Sequence, residues 1–348
     1  MSQAYQHPVT AAGALRLHLN ENTEGCSPKV IEALRALGRN DIALYPDYDA
    51  VYRETAQHLG VPESSLLVTN GLDEGILLAA VIGQKRRPAD GAAESIVILP
   101  AFDVYAISVD AVGGRVVFVP PRADYTFPLE DTVAAITPRT RTVFITSPNN
   151  PTGVRVSNDD IRSVARALPS EALVLVDEAY HDFCGDTVVN ELGSLPNVVV
   201  GRTFAKAQGL AGLRAGAIIA VPETLDAFKP VVPPYSLNVA AMVALRAALA
   251  DREYTAWYVA QVRESRERFY AFCRKHGFHY WESGANFVLA RVGDHATPLT
   301  EALKANAIYI RDKSADPNCR GCIRVTTGIV EATEAAVAAM EEYLCAAQ

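Results

Sequence analysis

The chain has 348 residues, 49% hydrophobic and 21% charged, with a formal net charge of −8. That length allows two domains and a large core, and the composition is ordinary for a globular protein. The acidic balance argues against a general nucleic-acid or acidic-membrane binder, which needs basic patches, but a small anionic substrate needs only a few local cations.

In chain order, residues 28–37 read as a short amphipathic helix and 66–69 as a strand. Residues 73–82 read as a helix after the Asn70-Gly71 turn, and 83–94, with Lys85-Arg86-Arg87-Pro88, as a solvated loop. Strand 95–99, helix 103–112, strand 115–119 and helix 129–136 follow. The apolar run 142–146 reads as a buried strand ending in the turn Ser147-Pro148-Asn149-Asn150-Pro151-Thr152-Gly153. Helix 158–168 leads to a second buried strand, 172–176, with Asp177 at its C-terminal end. Strands 197–201 and 215–220 flank the segment that bears Lys206. This alternation argues for an α/β layer with helices on both faces. After Pro233-Pro234 the texture changes. Asn238 caps a helix to residue 249, and a charged helix covers 254–276. Strands at 286–291, 308–311 and 322–326, with helices at 298–306 and 331–345, read as a smaller α+β unit.

Residues 1–10 lack the basic and apolar regions of a secretion signal, and the longest apolar run, 76–83, is far below the roughly 20 residues that span a bilayer. Six cysteines over this length are no disulfide framework, and seven histidines show no ligand spacing. Cys319-Arg320-Gly321-Cys322 is a lone CxxC, either a zinc or redox pair or a loop entering the next strand. The expectation is a cytoplasmic, metal-free protein.

Chemistry concentrates in Arg202-Thr203-Phe204-Ala205-Lys206-Ala207-Gln208-Gly209-Leu210-Ala211-Gly212-Leu213-Arg214. It offers an amine, a hydroxyl three residues before it and a guanidinium eight after it. Small residues between them let the backbone pack against a bound group, as a lysine forming a Schiff base with an aldehyde cofactor requires; taken alone, the stretch also reads as an ordinary loop with a surface lysine. Asp177 stands where open α/β sheets bind ligands, although such an Asp also serves as a turn or helix cap. Asn150 lies 27 residues before Asp177 and Lys206 lies 29 after it.

On SPNNPTG (147–153), VDEAY (176–180) and RTFAKAQGLAGLRAG (202–216), the chain resembles the fold-type I pyridoxal 5′-phosphate (PLP) aminotransferases. It is most similar to the histidinol-phosphate aminotransferases among them, from Leu19-Asn20-Glu21-Asn22 to Cys322-Ile323-Arg324-Val325-Thr326-Thr327-Gly328. The resemblance implies a large α/β domain over 29–237, on a mixed, mostly parallel sheet flanked by helices, that binds PLP. A smaller α+β domain would come from 1–28 and 238–348. Lys206 would carry the cofactor and act as general base and acid. Asp177 would face the pyridine nitrogen, and Asn150 and Tyr180 would donate to the phenolic oxygen. Phe102 would stack on the ring, where the family usually places a larger or hydroxylated aromatic; a core phenylalanine is the other reading.

For the cofactor phosphate, Gly71, Leu72 and Asp73 open a helix whose free N–H groups suit an anion, although Asp73 and Glu74 also read as plain helix-start acids. Thr203 and Arg214 would complete the cup. Tyr45 matches a family tyrosine that reaches the neighbouring subunit's site, which requires a homodimer. Ala205 stands where the family commonly has serine. A lost hydrogen bond to a charged group, about 1.5–3 kcal/mol, weakens cofactor binding roughly 10–150-fold unless compensated.

On the substrate side, Arg324 would grip a carboxylate in a bidentate fork. Arg311, 13 residues earlier, matches the family arginine that contacts the phosphate of histidinol phosphate, or else is a surface arginine. Tyr5 and Tyr235 would add hydroxyls. The leading expectation is transamination between histidinol phosphate and 2-oxoglutarate in histidine biosynthesis, one pocket taking phosphate and carboxylate in turn. An aromatic or other amino-acid donor, or a PLP decarboxylase or lyase acting on a phosphorylated amino acid, stays open because fold does not settle function. A PLP-binding regulator would need a DNA-reading module, for which the segment before residue 19 leaves no room. An NAD enzyme would need GxGxxG after a strand.

Overall fold

The computed structural model describes residues 10–89 and 91–346. A two-residue strand, β1 (Leu15–Arg16), comes first. Seven strands then build a central sheet: β2 (Leu66–Asn70), β3 (Glu94–Ile98), β4 (Arg115–Val119), β5 (Thr140–Thr146), β6 (Leu173–Asp177), β7 (Val198–Thr203) and β8 (Ala215–Ile219). Their order is β2-β8-β7-β6-β5-β3-β4. The five from β7 to β4 are parallel, and β8 runs antiparallel to both β7 and β2. This is the expected mixed, mostly parallel sheet.

Strands covered on both faces are apolar throughout, because every side chain meets a helix whichever way it points. In β6 and β7, Leu173, Leu175 and Val199 enter one cluster with Leu72, Ile76 and Ala79 of the helix Leu72–Lys85. Val174, Val176, Val198 and Val200 enter the opposite cluster with Ala241, Met242 and Leu245 of the helix Val239–Ala250. That helix, counted by the sequence reading with the smaller unit, therefore packs against the central sheet.

Beyond it lie β9 (His279–Tyr280), β10 (Phe287–Arg291), β11 (Ile308–Tyr309), β12 (Arg311–Asp312) and β13 (Cys322–Thr326). A four-stranded antiparallel sheet has the order β12-β13-β10-β9, while β11 pairs in parallel with β1. The expected strand 308–311 thus divides at Ile310 and serves two sheets. Leu17, Phe269, Val288, Leu303, Val325 and Met340 share this unit's core.

Helices at Arg39–Ala43 and Asp49–Leu59 escaped the sequence reading. The second is polar along most of its length, buries Val51, Thr55 and Ala56, and stops at Gly60, whose φ of 69° suits a residue without Cβ. The expected loop 83–94 is shorter than read, since its first residues finish a helix and Glu94 begins β3. Among the described residues no helix is long and apolar enough to cross a membrane.

Candidate active site

Parallel strands deliver their C-terminal ends to one edge of the sheet, and there β5, β6 and β7 place Thr146, Asp177 and Thr203 beside the start of the helix Leu72–Lys85. The cavity between them has a volume of about 220 Å³. It is lined by five lysine and arginine side chains against three carboxylates, a positive interior in an acidic chain. The structure brings together in it Leu72, Asp73, Phe102, Asn150, Asp177, Tyr180, Thr203, Lys206, Arg214, Arg311 and Arg324.

Asp177 is 4% exposed and tied at both oxygens. Oδ1 accepts from the Ala179 N–H at 2.9 Å and Oδ2 from the Tyr105 hydroxyl at 2.6 Å. Burial pushes its pKa up to about 6, while these two hydrogen bonds oppose the rise. The carboxylate is therefore anionic at neutral pH and aimed by its neighbours. Tyr105, fully buried in the helix Val104–Ala111, also meets Thr146 Oγ1 at 2.8 Å. Its role was not read from the sequence, since an aromatic on a mostly apolar helix looks like core.

Lys206 follows β7 in a turn, and its Nζ donates to the Leu19 carbonyl at 3.3 Å and lies 5.8 Å from the centre of the Tyr180 ring. Burial pulls its pKa down to about 8, helped by Arg324 and opposed by Glu21 and Asp73. Tyr180 stands edge-on to Phe287, and its hydroxyl accepts from Asn20 Nδ2 at 3.0 Å. Burial pushes the Tyr180 pKa up to about 12, so the hydroxyl keeps its proton as a donor. Asn20, buried and bonded also to Thr326 Oγ1, is a second residue that the sequence reading passed over.

Asn150 turns its side-chain oxygen to Arg324 Nη1, which leaves its amide nitrogen to donate elsewhere. Arg324 is 7% exposed, donates from Nη2 to the His18 carbonyl at 2.7 Å and lies over the Phe287 ring. Burial, with Arg16, Arg311 and Arg324 nearby, drives the His18 imidazole down to about 4, so it is neutral at pH 7. Phe102 meets Tyr105 edge-to-face at 6.0 Å.

At the other end of the cavity, the helix start at Gly71 has no side-chain cap, so its first N–H groups stay available. Gly71 has φ 74°, and a Cβ there would stand 2.8 Å from the Arg214 guanidinium. A Cβ on Gly216 would stand 2.5 Å from the Gly71 backbone, so β8 approaches the helix only as glycine. Arg214 Nη2 donates to Asp73 Oδ2 at 2.7 Å, so the Asp73 carboxylate orients the guanidinium. Thr203 Oγ1 accepts from the Ala205 N–H at 3.2 Å, and Ala205 itself is buried without a hydroxyl to offer.

Tyr235, expected to add a hydroxyl to the substrate pocket, does not line the cavity of its own chain. It stacks on Tyr45 at 4.2 Å, and the two rings are 52% and 78% exposed. Its segment follows Pro233-Pro234 along the surface before the helix Val239–Ala250 returns to the sheet. Tyr5 lies outside the described residues. Cys319 and Cys322 are buried free thiols in a turn entering β13, with Cys319 Sγ 3.2 Å from the Tyr125 hydroxyl. Among the described residues, no group of three or more His, Cys, Asp or Glu side chains is placed to hold a metal.

Residues 13–340 match the family model described as aminotransferase class I and II. The chain is 33% identical over 332 residues to a histidinol-phosphate aminotransferase of Dehalococcoides mccartyi, covering 94% of this chain and 90% of that one. It is 33% identical to the enzyme of the same name from Anoxybacillus flavithermus, covering 95% and 88%. Among solved structures, histidinol-phosphate aminotransferase from Sinorhizobium meliloti in complex with pyridoxal-5′-phosphate is similar with a TM-score of 0.86. It has 27% identity and covers 96% of this chain and 92% of that one. L-threonine-O-3-phosphate decarboxylase from Porphyromonas gingivalis shares the fold at a TM-score of 0.77, with 22% identity over 94% and 98% of the two chains.

Proposed function

The chain belongs to the aminotransferase class I and II family, and on that premise we propose that it moves an amino group between histidinol phosphate and 2-oxoglutarate. It is a pyridoxal-phosphate-dependent transaminase. The observation that carries the substrate is Arg311 directly opposite Arg324 on paired strands, both lining the cavity that holds Lys206. Two guanidiniums side by side suit a phosphate in one half-reaction and a carboxylate in the other.

The side chains fit the cofactor. The uncapped helix start at Gly71, with Thr203 and Arg214 beside it, suits the phosphate, and the glycines at 71 and 216 let Arg214 and β8 approach that helix start closely. Asp177, anionic and held at both oxygens, would accept from the pyridine N–H, while the Tyr180 hydroxyl and the Asn150 amide would donate to the phenolic oxygen. When bound, PLP supplies an electron sink for the pair left at Cα when a proton departs. Lys206 Nζ takes that proton as general base and returns it as general acid. With its pKa near 8, on the order of a tenth of the amine is neutral at pH 7. Arg324, fixed by the Asn150 side-chain oxygen and the His18 carbonyl, would bind the donor's anionic group beside this amine.

The same reading makes the active form a cytoplasmic homodimer in which the exposed Tyr45 completes the phosphate cup of the other subunit. It also divides the chain into a cofactor-binding unit from residue 29, extended past 237 to include the helix Val239–Ala250, and a smaller unit built from the remainder. Purified protein given histidinol phosphate and 2-oxoglutarate should form glutamate, and should do so far more slowly with phenylalanine as donor. Preference for phenylalanine would overturn the substrate assignment and leave the transaminase reading standing.

A further inference from the structure

Lys313 lines the same cavity and has no part in the roles above. β12 and β13 run antiparallel with Arg311 opposite Arg324, and the ladder continues one step further, the Lys313 N–H donating to the Cys322 carbonyl at 2.9 Å. Directly opposed residues present their side chains on one face, and residues two apart on a strand share that face. Arg311, Lys313 and Arg324 therefore stand together toward the cavity. Asp312, between them, points the other way and accepts from Thr297 Oγ1 at 2.6 Å.

Among the described residues, this face gathers more cations than anions. Lys313 pairs with Asp316, three residues on, and its side chain is only 16% exposed. The Arg311 guanidinium has no hydrogen bond or ion pair among the described residues. Burial pulls the Lys313 ammonium below the ordinary lysine range, Arg324 and Arg311 adding to the effect and Asp316 opposing it. Three cations against the one Asp316 carboxylate leave this partly buried face with excess positive charge, which a doubly charged anion relieves most.

We propose that Lys313 is a specificity-determining residue that binds the phosphate of the amino donor together with Arg311 and Arg324, its ammonium turning from Asp316 to a phosphate oxygen. The inference rests on the substrate reading given above and deepens it. A phosphate ester carries about −1.5 to −2 charges at pH 7, where a carboxylate carries one, and the third cation answers that second charge.

The test is steady-state kinetics of the PLP-loaded protein and its Lys313→Gln, Lys313→Arg and Asp316→Asn variants with histidinol phosphate, histidinol and glutamate, plus inhibition by inorganic phosphate. Lys313→Gln should raise KM for histidinol phosphate by about tenfold or more relative to KM for glutamate, with kcat within about threefold. Inhibition by inorganic phosphate should weaken by a similar factor. Lys313→Arg should restore most of the loss, and Asp316→Asn, which releases the ammonium, should lower KM for histidinol phosphate. Equal effects of Lys313→Gln on histidinol and histidinol phosphate, or no rise in KM, would overturn the Lys313 assignment alone. Failure of the unaltered protein to turn over histidinol phosphate would overturn the substrate reading with it.

Discussion

Tyr105→Phe removes one oxygen from the cavity floor and tests what holds Asp177 ready. The Tyr105 hydroxyl donates to Asp177 Oδ2 at 2.6 Å, inside a site where burial has already raised the Asp177 pKa to about 6. A hydrogen bond to a charged group is worth about 1.5–3 kcal/mol, and one pKa unit is about 1.4 kcal/mol, so losing the bond moves Asp177 up by about one to two units. Below its own pKa the carboxyl must give up a proton before it can accept from the pyridine nitrogen. PLP affinity therefore falls about tenfold per pH unit on that side. The unaltered apoprotein should lose PLP affinity below about pH 6, and the variant below about pH 7–8. Apoprotein stability runs the opposite way. The folded pKa of Asp177 lies above its ordinary value of 3.8, so its contribution is present below that pH and is lost as pH rises through about 6. In the variant this loss extends one to two units higher by the same arithmetic, roughly. Dissociation constants measured by titrating apoprotein with PLP across this pH range, with thermal unfolding alongside, read both effects. Acid limbs that coincide within about 0.3 unit, a difference of about 0.4 kcal/mol, would refute the reasoning.

Borohydride reduction of the PLP-loaded protein should fix the cofactor's mass on the peptide containing Lys206, and Lys206→Ala should abolish both the label and turnover; label on any other lysine removes the assignment. Ala205→Ser should tighten PLP binding by about tenfold, the worth of a hydrogen bond to a charged group, in a fluorescence titration, and an unchanged constant would mean that the cup is already satisfied. Arg311→Ala should raise KM for histidinol phosphate by a factor on the order of 30, about 2 kcal/mol, with a smaller effect on glutamate, while Arg324→Ala should impair both. Equal losses for the two donors in Arg311→Ala would remove the phosphate-selective role of Arg311 and with it this ground for the substrate assignment.

Residues whose position is fixed within a few neighbours were legible from the chain alone. Asp177 ends an apolar strand, Asn150 sits in a proline-fixed turn and Lys206 follows a strand into small residues, so each could be placed at the ligand edge of a parallel sheet. Tyr105 could not, because the carboxylate it holds is 72 residues away and the two meet only through the strand order of the sheet. The two tyrosines at 45 and 235 illustrate the same limit from the other side, since their stacking on the surface depends on how the segment after Pro233-Pro234 is routed. Those prolines mark a change in local pattern but not in packing. The next helix carries Ala241, Met242 and Leu245 back to the central sheet, where apolar area on the order of 25 cal/mol per Å² outweighs its place in the sequence. The hairpin of β12 and β13 depends on register in the same way. The spacing of Arg311 and Arg324 was readable, yet which residues share their face depends on register. A slip of one residue would turn Asp312 into the cavity and Lys313 out of it, reversing the charge offered to a substrate. A net charge of −8 for the whole chain coexists with this cationic face because specificity is set by which side of a strand each charge occupies.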